Sequence, residues 1–301
     1  MKRALQLAAY GAGHVSPNPM VGAVICAPDG RIIGEGWHRL YGSAHAEVNA
    51  MASVSQADMA LITQSTMYVT LEPCSHYGKT PPCAAMLCER GIRRVVVGTG
   101  DPNPRVAGRG IRMLREAGIE VNEDCLRDEC RAINVRFFTA HTLHRPWILL
   151  KWAEDEHGRM ASAEGKPICI SSPLTLTLMH AERAMCDAIL AGTGTLVTDN
   201  PSLTTRFWPG RSPRPVVFES PRLRDADRKS HITVLDRDPI ILDPAVPLAD
   251  NMRLLFEKHG VTSLMVEGGR TLLDSFIAEG LYDRIRTERA CIAKQELPTH
   301  C

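Results

Sequence analysis

Short β-branched runs alternate with segments of helical periodicity along almost the whole chain, which narrows the fold to layered α/β arrangements. Residues 2–13 predict a helix, 21–27 a strand, and 31–36 its hairpin partner across Pro28-Asp29-Gly30. A helix from His45 to about Val54 follows, then a strand over 67–71, a helix over 82–90 and a strand over 94–98. A helix over 108–117 stopped by Gly118, a short strand and a helix over 126–140 complete the first half. Arg145-Pro146 breaks the pattern and Trp147-Ile148-Leu149-Leu150-Lys151 reads as a fresh strand, so two domains are expected, 1–143 and 144–301. The second half predicts a helix over 173–184, strands over 187–191 and 215–219, a helix over 250–259, a strand over 262–267 and a helix over 270–279. The stretches 206–214 and the Asp/Arg-rich 222–229 read as surface loops. With 301 residues the chain is long enough for two cores of this kind.

A formal net charge of +1 gives no broad field for nucleic acid or an anionic membrane, and no basic-aromatic stripe is present. No apolar run approaches membrane-spanning length, and the start Met1-Lys2-Arg3-Ala4-Leu5 lacks a signal-peptide apolar stretch. A cytoplasmic setting is therefore expected, where thiols stay reduced. The ten cysteines are then poor candidates for a disulfide framework and better candidates for metal ligation or core packing. Cys26, Cys88, Cys125, Cys169 and Cys186 sit in apolar or helical surroundings and read as small core residues.

The chemistry concentrates in His45-Ala46-Glu47, Glu72-Pro73-Cys74 and Cys83. A zinc deaminase needs a His-x-Glu and two cysteines, usually as Pro-Cys-x-x-Cys; here eight residues separate the cysteines. His45, Cys74 and Cys83 supply three ligands, and a water in the open fourth position has its pKa lowered until hydroxide exists near neutrality. Glu47 lies two residues from His45 and can face that water without ligating, taking its proton and passing protons to the ring nitrogen and the departing ammonia. Pro81-Pro82 suits a helix start whose backbone amides help hold a thiolate. A lone His-x-Glu or Pro-Cys means little, but the two together, each opening a helix, are hard to explain as core residues. His76 between the cysteines is a rival ligand, although a closed four-ligand site would leave Glu47 without a task.

Around these residues, Ser16-Pro17-Asn18-Pro19-Met20-Val21-Gly22-Ala23-Val24, His45-Ala46-Glu47-Val48-Asn49-Ala50, the run from Glu72 to Cys83, Asp101-Pro102-Asn103-Pro104 and Val106-Ala107-Gly108-Arg109-Gly110 closely resemble the bifunctional riboflavin-biosynthesis deaminase/reductase family, RibD (also called RibG). The long loop between the cysteines is typical of that family. The resemblance implies a cytidine-deaminase-like layered domain followed by a dihydrofolate-reductase-like α/β domain. It also implies a small-molecule substrate, 2,5-diamino-6-ribosylamino-4(3H)-pyrimidinone 5′-phosphate. The first domain, with one Zn2+, would hydrolyse the 2-amino group; the second would reduce the ribosyl group to ribityl with NADPH. Carried over by position, Asn18, His38, Asn49, Lys79, Asp101 and Asn103 become substrate contacts of the deaminase. Lys79 and His38 suit a phosphate or ribose, and the Asn and Asp side chains suit a pyrimidine edge.

The second half matches the same family through Leu150-Lys151-Trp152-Ala153, Gly192-Thr193-Gly194-Thr195, Asp199-Asn200-Pro201-Ser202-Leu203-Thr204-Thr205-Arg206 and Val266-Glu267-Gly268-Gly269-Arg270-Thr271-Leu272. The last piece reads as strand, glycine pair and helix start, which offers amides to a dinucleotide phosphate without being a G-x-G-x-x-G fingerprint. By resemblance Ala153, Thr195, Asp199, Gly269, Arg270 and Thr271 hold NADPH. Arg183, Leu203, Arg206 and Glu267 hold the substrate, with the arginines on its phosphate. The chain departs from the family at Glu154-Asp155-Glu156-His157-Gly158, where Asp155 stands for a small hydroxyl residue and His157 for an aspartate. Such negative charge is expected to repel an anionic cofactor. The segment between strands around 220–245 reads as short, and the chain ends soon after a strand over 283–289, which is expected to leave a sheet edge for a homo-oligomer contact to cover. Two readings follow: a bifunctional enzyme, or a deaminase whose reductase-like half serves as scaffold or dimerisation module.

Overall fold

In the computed structural model, which describes residues 1–75, 81–104, 106–160 and 171–289, the chain divides into two compact units, Met1–Leu143 and His144–Cys301. The first unit runs α1 (Lys2–Ala9), β1 (Gly22–Cys26), β2 (Ile32–Trp37), α2 (Ala46–Ala52), β3 (Thr66–Val69), α3 (Cys83–Arg90), β4 (Arg94–Val97), α4 (Arg109–Glu116), β5 (Glu120–Asn122), α5 (Arg127–Ala132) and α6 (Val135–Leu143). Its sheet has the order β2-β1-β3-β4-β5 among the described residues. β1 is antiparallel to β2 and β3, whereas β3, β4 and β5 are parallel. Helices cover the sheet and bury Ile25, Met67, Val95, Leu87 and Leu114.

The first helix stops at Ala9, four residues short of the expected span, and gives way to turns. The helix expected over 126–140 is two helices. The break places buried Asn134 so that its side chain clamps Met20, accepting from the Met20 N–H at 2.8 Å and donating to the Met20 carbonyl at 2.8 Å. Those two bonds join the end of the unit to the segment that precedes β1.

The second unit runs β6 (Trp147–Glu154), α7 (Pro173–Ala184), β7 (Ala188–Ala191), α8 (Thr193–Asp199), β8 (Arg214–Phe218), α9 (Pro221–Ser230), β9 (Ile240–Leu242), α10 (Leu248–His259), β10 (Ser263–Glu267), α11 (Arg270–Ala278) and β11 (Arg284–Arg289). The sheet is parallel, in the order β11-β6-β10-β7-β8-β9 among the described residues. Apolar runs such as Ile148-Leu149-Leu150 and Leu264-Met265-Val266 are fully buried, as parallel strands covered on both faces require. From β6 the chain crosses to β7 on one side, and from β10 it crosses to β11 on the other. The topological switch point therefore lies at the carboxyl ends of β6 and β10, where open parallel sheets bind ligands.

One sequence expectation changes here, and others are filled in. The Asp/Arg-rich 222–229 is part of α9 rather than a loop: Pro221 stands at its first position, Leu223 is its buried anchor, and the charged remainder is its solvated face. Gly192-Thr193-Gly194-Thr195 opens α8, and the segment around 220–245 holds α9 and β9. Of the cysteines read as core, Cys186 is buried and Cys26, Cys88 and Cys125 are half-buried; Cys169 lies outside the described residues. Asn134→Ala would orphan both Met20 backbone groups and should destabilise the first unit by about 1–3 kcal/mol in urea unfolding. An unchanged midpoint would show that the clamp carries no weight.

Candidate active sites of the two units

His45 stands immediately before α2, Cys74 follows β3, and Cys83 opens α3, so strand ends and helix starts bring the three together. Their ligand atoms all lie within 4.8 Å of one another. His45 Nδ1 is 3.5 Å from Cys74 Sγ and 3.4 Å from Cys83 Sγ. Zinc–sulfur bonds of about 2.3 Å and a zinc–nitrogen bond of about 2.1 Å at a tetrahedral angle put nitrogen and sulfur about 3.6 Å apart. The donor set therefore fits one zinc ion with little movement. Cys83 N–H also donates to Cys74 Sγ at 3.3 Å, so the start of α3 holds the neighbouring cysteine as well as presenting its own. The Cys83 thiol and His45 draw Cys74 down to about 4, while Cys83 is pushed up by its proton-sharing with Cys74 and by burial. His76 and Lys79 lie outside the described residues.

Glu47 is in the first turn of α2 and only 3% exposed. Burial, with Cys74 nearby, pushes its carboxyl up to about 7, and His45 partly offsets this. A carboxyl poised there can both take and return a proton near neutrality.

The expected substrate residues among those described fall into two hydrogen-bonded groups, Asn18, His38 and Asn49 in one and Asp101 and Asn103 in the other. Asn18 Nδ2 donates to His38 Nε2 at 3.1 Å, and His38 Nδ1 donates to the Ala44 carbonyl at 3.1 Å. Burial holds His38 below its usual range, so it is a neutral ring with both nitrogens engaged inside the unit. It orients Asn18 and the loop leading to His45, against whose ring it packs edge-on at 5.5 Å. Asn49 donates to the Trp37 carbonyl at 2.8 Å and the Ala44 carbonyl at 3.2 Å, fixing the same loop. Asp101 accepts from the Asn103 N–H at 2.8 Å, and burial lifts its carboxyl to about 6.

Glu72 has a role that its place in the motif did not reveal. Its buried carboxylate accepts from the backbone N–H groups of Gly108 at 2.9 Å and Gly110 at 3.0 Å, at the start of α4. That anchors the 101–110 loop beside the metal ligands. Gly110 is required there, because a Cβ would sit 1.9 Å from the Pro73 carbonyl oxygen.

In the second unit the expected residues gather at the carboxyl ends of the strands. Thr195 lies against the Gly268-Gly269 turn, where Gly268 has φ 84° and a Cβ would meet Thr195 Oγ1 at 2.8 Å. Ala153 is half-buried on β6; Arg270 and Thr271 are exposed at the start of α11, and Asp199 is exposed at the end of α8. Arg183 and Glu267 meet each other. Arg183 Nε and Nη2 donate to the two Glu267 oxygens at 2.8 and 2.6 Å, and Nη1 donates to the Thr204 carbonyl at 2.9 Å. Burial works against the Glu267 charge, but Arg183, with Lys151 behind it, holds the carboxyl below the usual range. Arg206 is exposed, bonded to Ser202 Oγ at 2.9 Å and stacked over Phe207. Leu203 is buried with φ 49°, an outlier for its type, in a loop that Arg237 pins through the Ser202 and Leu203 carbonyls.

The charge expected at 154–158 is largely compensated. Glu154 accepts from Trp152 Nε1 at 2.9 Å and Arg289 Nε at 2.6 Å. Asp155 closes a turn on the His157 and Arg159 amides and pairs with the Arg159 guanidinium at 2.8 Å. Lys151 faces Glu288 at 3.6 Å, and Ser171 donates to the same Glu288 oxygen.

Cys83→Ser should lower zinc content per chain by mass spectrometry, and a full complement would mean that another group is the third ligand. Arg183→Met leaves Glu267 buried and unpaired, which should cost about 3–5 kcal/mol in urea unfolding. A loss below about 1 kcal/mol would show that water or another cation replaces it.

Comparison with known proteins matches residues 1–99 to the cytidine and deoxycytidylate deaminase zinc-binding region and residues 146–291 to the RibD C-terminal domain. The riboflavin biosynthesis protein RibD of Aquifex aeolicus is 36% identical over 95% of this chain and 84% of its own length. That of Actinobacillus pleuropneumoniae is 37% identical over 95% and 81%. Among solved structures, a diaminohydroxyphosphoribosylaminopyrimidine deaminase/5-amino-6-(5-phosphoribosylamino)uracil reductase of Thermotoga maritima superposes with a TM-score of 0.84 at 34% identity, covering 99% of this chain and 87% of the other. RibD of Acinetobacter baumannii superposes with a TM-score of 0.83 at 30% identity, covering 98% and 86%.

Proposed function

The chain belongs to the RibD family of riboflavin-biosynthesis enzymes, which join a zinc-binding deaminase to an NADPH-using reductase, and on that premise we propose how its own residues divide the work. The deaminase substrate is 2,5-diamino-6-ribosylamino-4(3H)-pyrimidinone 5′-phosphate. His45, Cys74 and Cys83 hold zinc, which when bound supplies a Lewis acid that makes a water nucleophilic near neutrality. Glu47 takes the proton of the attacking water and delivers protons to the ring nitrogen and the departing amine, so that the carbon gains oxygen and ammonia leaves. Asn18, oriented by His38, and the 101–103 turn, anchored through Glu72, read the pyrimidine edge; Asn49 fixes the loop that carries His45. Lys79 and His38 were both matched to the phosphate or ribose; with both His38 nitrogens engaged internally, that contact falls to Lys79.

In the reductase unit the Gly268-Gly269 turn with Arg270, Thr271, Thr195, Ala153 and Asp199 holds NADPH, which supplies the hydride. Arg206 meets the substrate phosphate. Arg183 acts through Glu267, fixing that carboxylate at the switch point, while Leu203 shapes the loop beside it. The reading of this unit as a mere scaffold is not favoured, because the RibD C-terminal match spans it and the carboxylates at 154 and 155 have cationic partners. No helix of the described residues is long and apolar enough to cross a membrane. A cytoplasmic enzyme is in keeping with the free thiols among the described cysteines, and we propose that it self-associates.

The observation that carries the deaminase assignment is the Nδ1/Sγ/Sγ cluster beside the buried carboxyl of Glu47. Glu47→Gln should keep its zinc and lose ammonia release by at least about 100-fold. Near-normal turnover in the zinc-loaded variant would remove Glu47 from the proton path.

A further inference from the structure

His180 lies on α7 one turn before Arg183 and has no solvent exposure. Neither ring nitrogen has a hydrogen-bond partner among the described residues. Leaving a buried imidazole unpaired is costly, and an apolar side chain of similar shape would pack there without that cost. Its surroundings are informative. The ring packs edge-on against Phe207 at 4.9 Å, and the Arg206 guanidinium lies over the same Phe207 ring at 5.0 Å. Arg183, Arg206 and Glu267 are the charged groups that act on it, and burial together with the two arginines keeps the ring neutral. Arg183 is already neutralised by Glu267, whereas Arg206 is exposed and Arg237 bonds only backbone carbonyls, neither having a carboxylate partner among the described residues. The adjoining loop stores backbone strain at Leu203, which Arg183 and Arg237 hold in place. An unsatisfied buried polar ring, a strained loop and arginines in excess of carboxylates in one place describe a site completed by an anionic oxygen.

We propose that His180 is a substrate-binding residue of the reductase, donating a ring N–H to an oxygen of the substrate's phosphate ester beside Arg206. The proposal rests on the assignment of Arg206 to the phosphate. A neutral imidazole has one N–H donor, which a phosphate oxygen satisfies. The His180 ring itself is shut off from water, so its donor gains more from an anion than it would in solution.

The test uses the full, zinc-loaded chain with NADPH and the deaminated pyrimidine ribosylamine, with and without its 5′-phosphate, comparing wild type, His180→Phe, His180→Gln and Arg206→Gln. His180→Phe should raise KM for the phosphorylated substrate by about tenfold or more, with KM for NADPH unmoved. It should leave the dephosphorylated substrate's KM unchanged, and raise Tm by about 2–4 °C through loss of the orphaned ring. His180→Gln keeps a donor and should recover most of the affinity. If Arg206→Gln raises KM and His180→Phe does not, His180 is a packing residue and the proposal fails alone. If neither variant changes KM, the phosphate assignment itself is wrong and the proposal falls with it. An equal effect on both substrates would place a sugar hydroxyl, not the phosphate, on His180 and also overturn it. Should His180→Phe not fold, inorganic phosphate titrated into 15N-histidine-labelled wild type must shift one imidazole resonance that His180→Gln lacks; no shift contradicts the proposal.

Discussion

A charge taken out of water must find a partner, and both units are organised by how they meet that requirement at the ends of their strands. Glu72 is met by the backbone amides that open α4, Glu267 by the fork of Arg183, Lys151 by Glu288 and Glu154 by Arg289. The first ties the start of α4 to the segment after β3, the second ties the end of α7 to the end of β10, and the last two tie β6 to β11. The ligand-bearing loops are thereby fixed by partners that are not themselves ligands. Two thiols, each 3.4 to 3.5 Å from one imidazole, present the same demand in another form, one that a metal would meet.

The groups left outside this scheme mark the chemistry. Glu47 is buried and lacks the kind of partner that Glu72 and Glu267 have, so its proton affinity climbs into the range useful for transfer. His180 is buried with both nitrogens unpaired beside the strained 200–206 loop. In each case the fold tolerates a local cost that only a ligand would repay, and the surrounding pairs stabilise the backbone enough to allow it.

What was legible in the sequence was chemistry carried by residue type. His45, Glu47, Cys74 and Cys83 are few, distinctive and set at helix starts, so their pattern is specific. The alternation of strands and helices was equally plain, and with it the α/β layers. Long-range partnership was not legible. Glu72 meets amides 36 and 38 residues further on, and Arg183 meets a carboxylate 84 residues away; no spacing rule records such pairs. The charged run in α9 was misread because a helix whose buried anchor is Leu223 shows almost no apolar stripe. The break between α5 and α6 places Asn134 to clamp Met20, a contact across 114 residues. Extra acidity at 154–158 looked like a defect of the cofactor site until its partners Arg289 and Arg159 were in view.

The central claim is that one chain carries two consecutive reactions on the same pyrimidine. The direct measurement is mass spectrometry of the product after the zinc-loaded full chain is given the diaminopyrimidine ribosylamine phosphate and NADPH. The account predicts a product in which the amine has been exchanged for oxygen and two hydrogens have been gained. A product changed only at the amine, at any NADPH concentration, would contradict it and leave the second unit without its reaction.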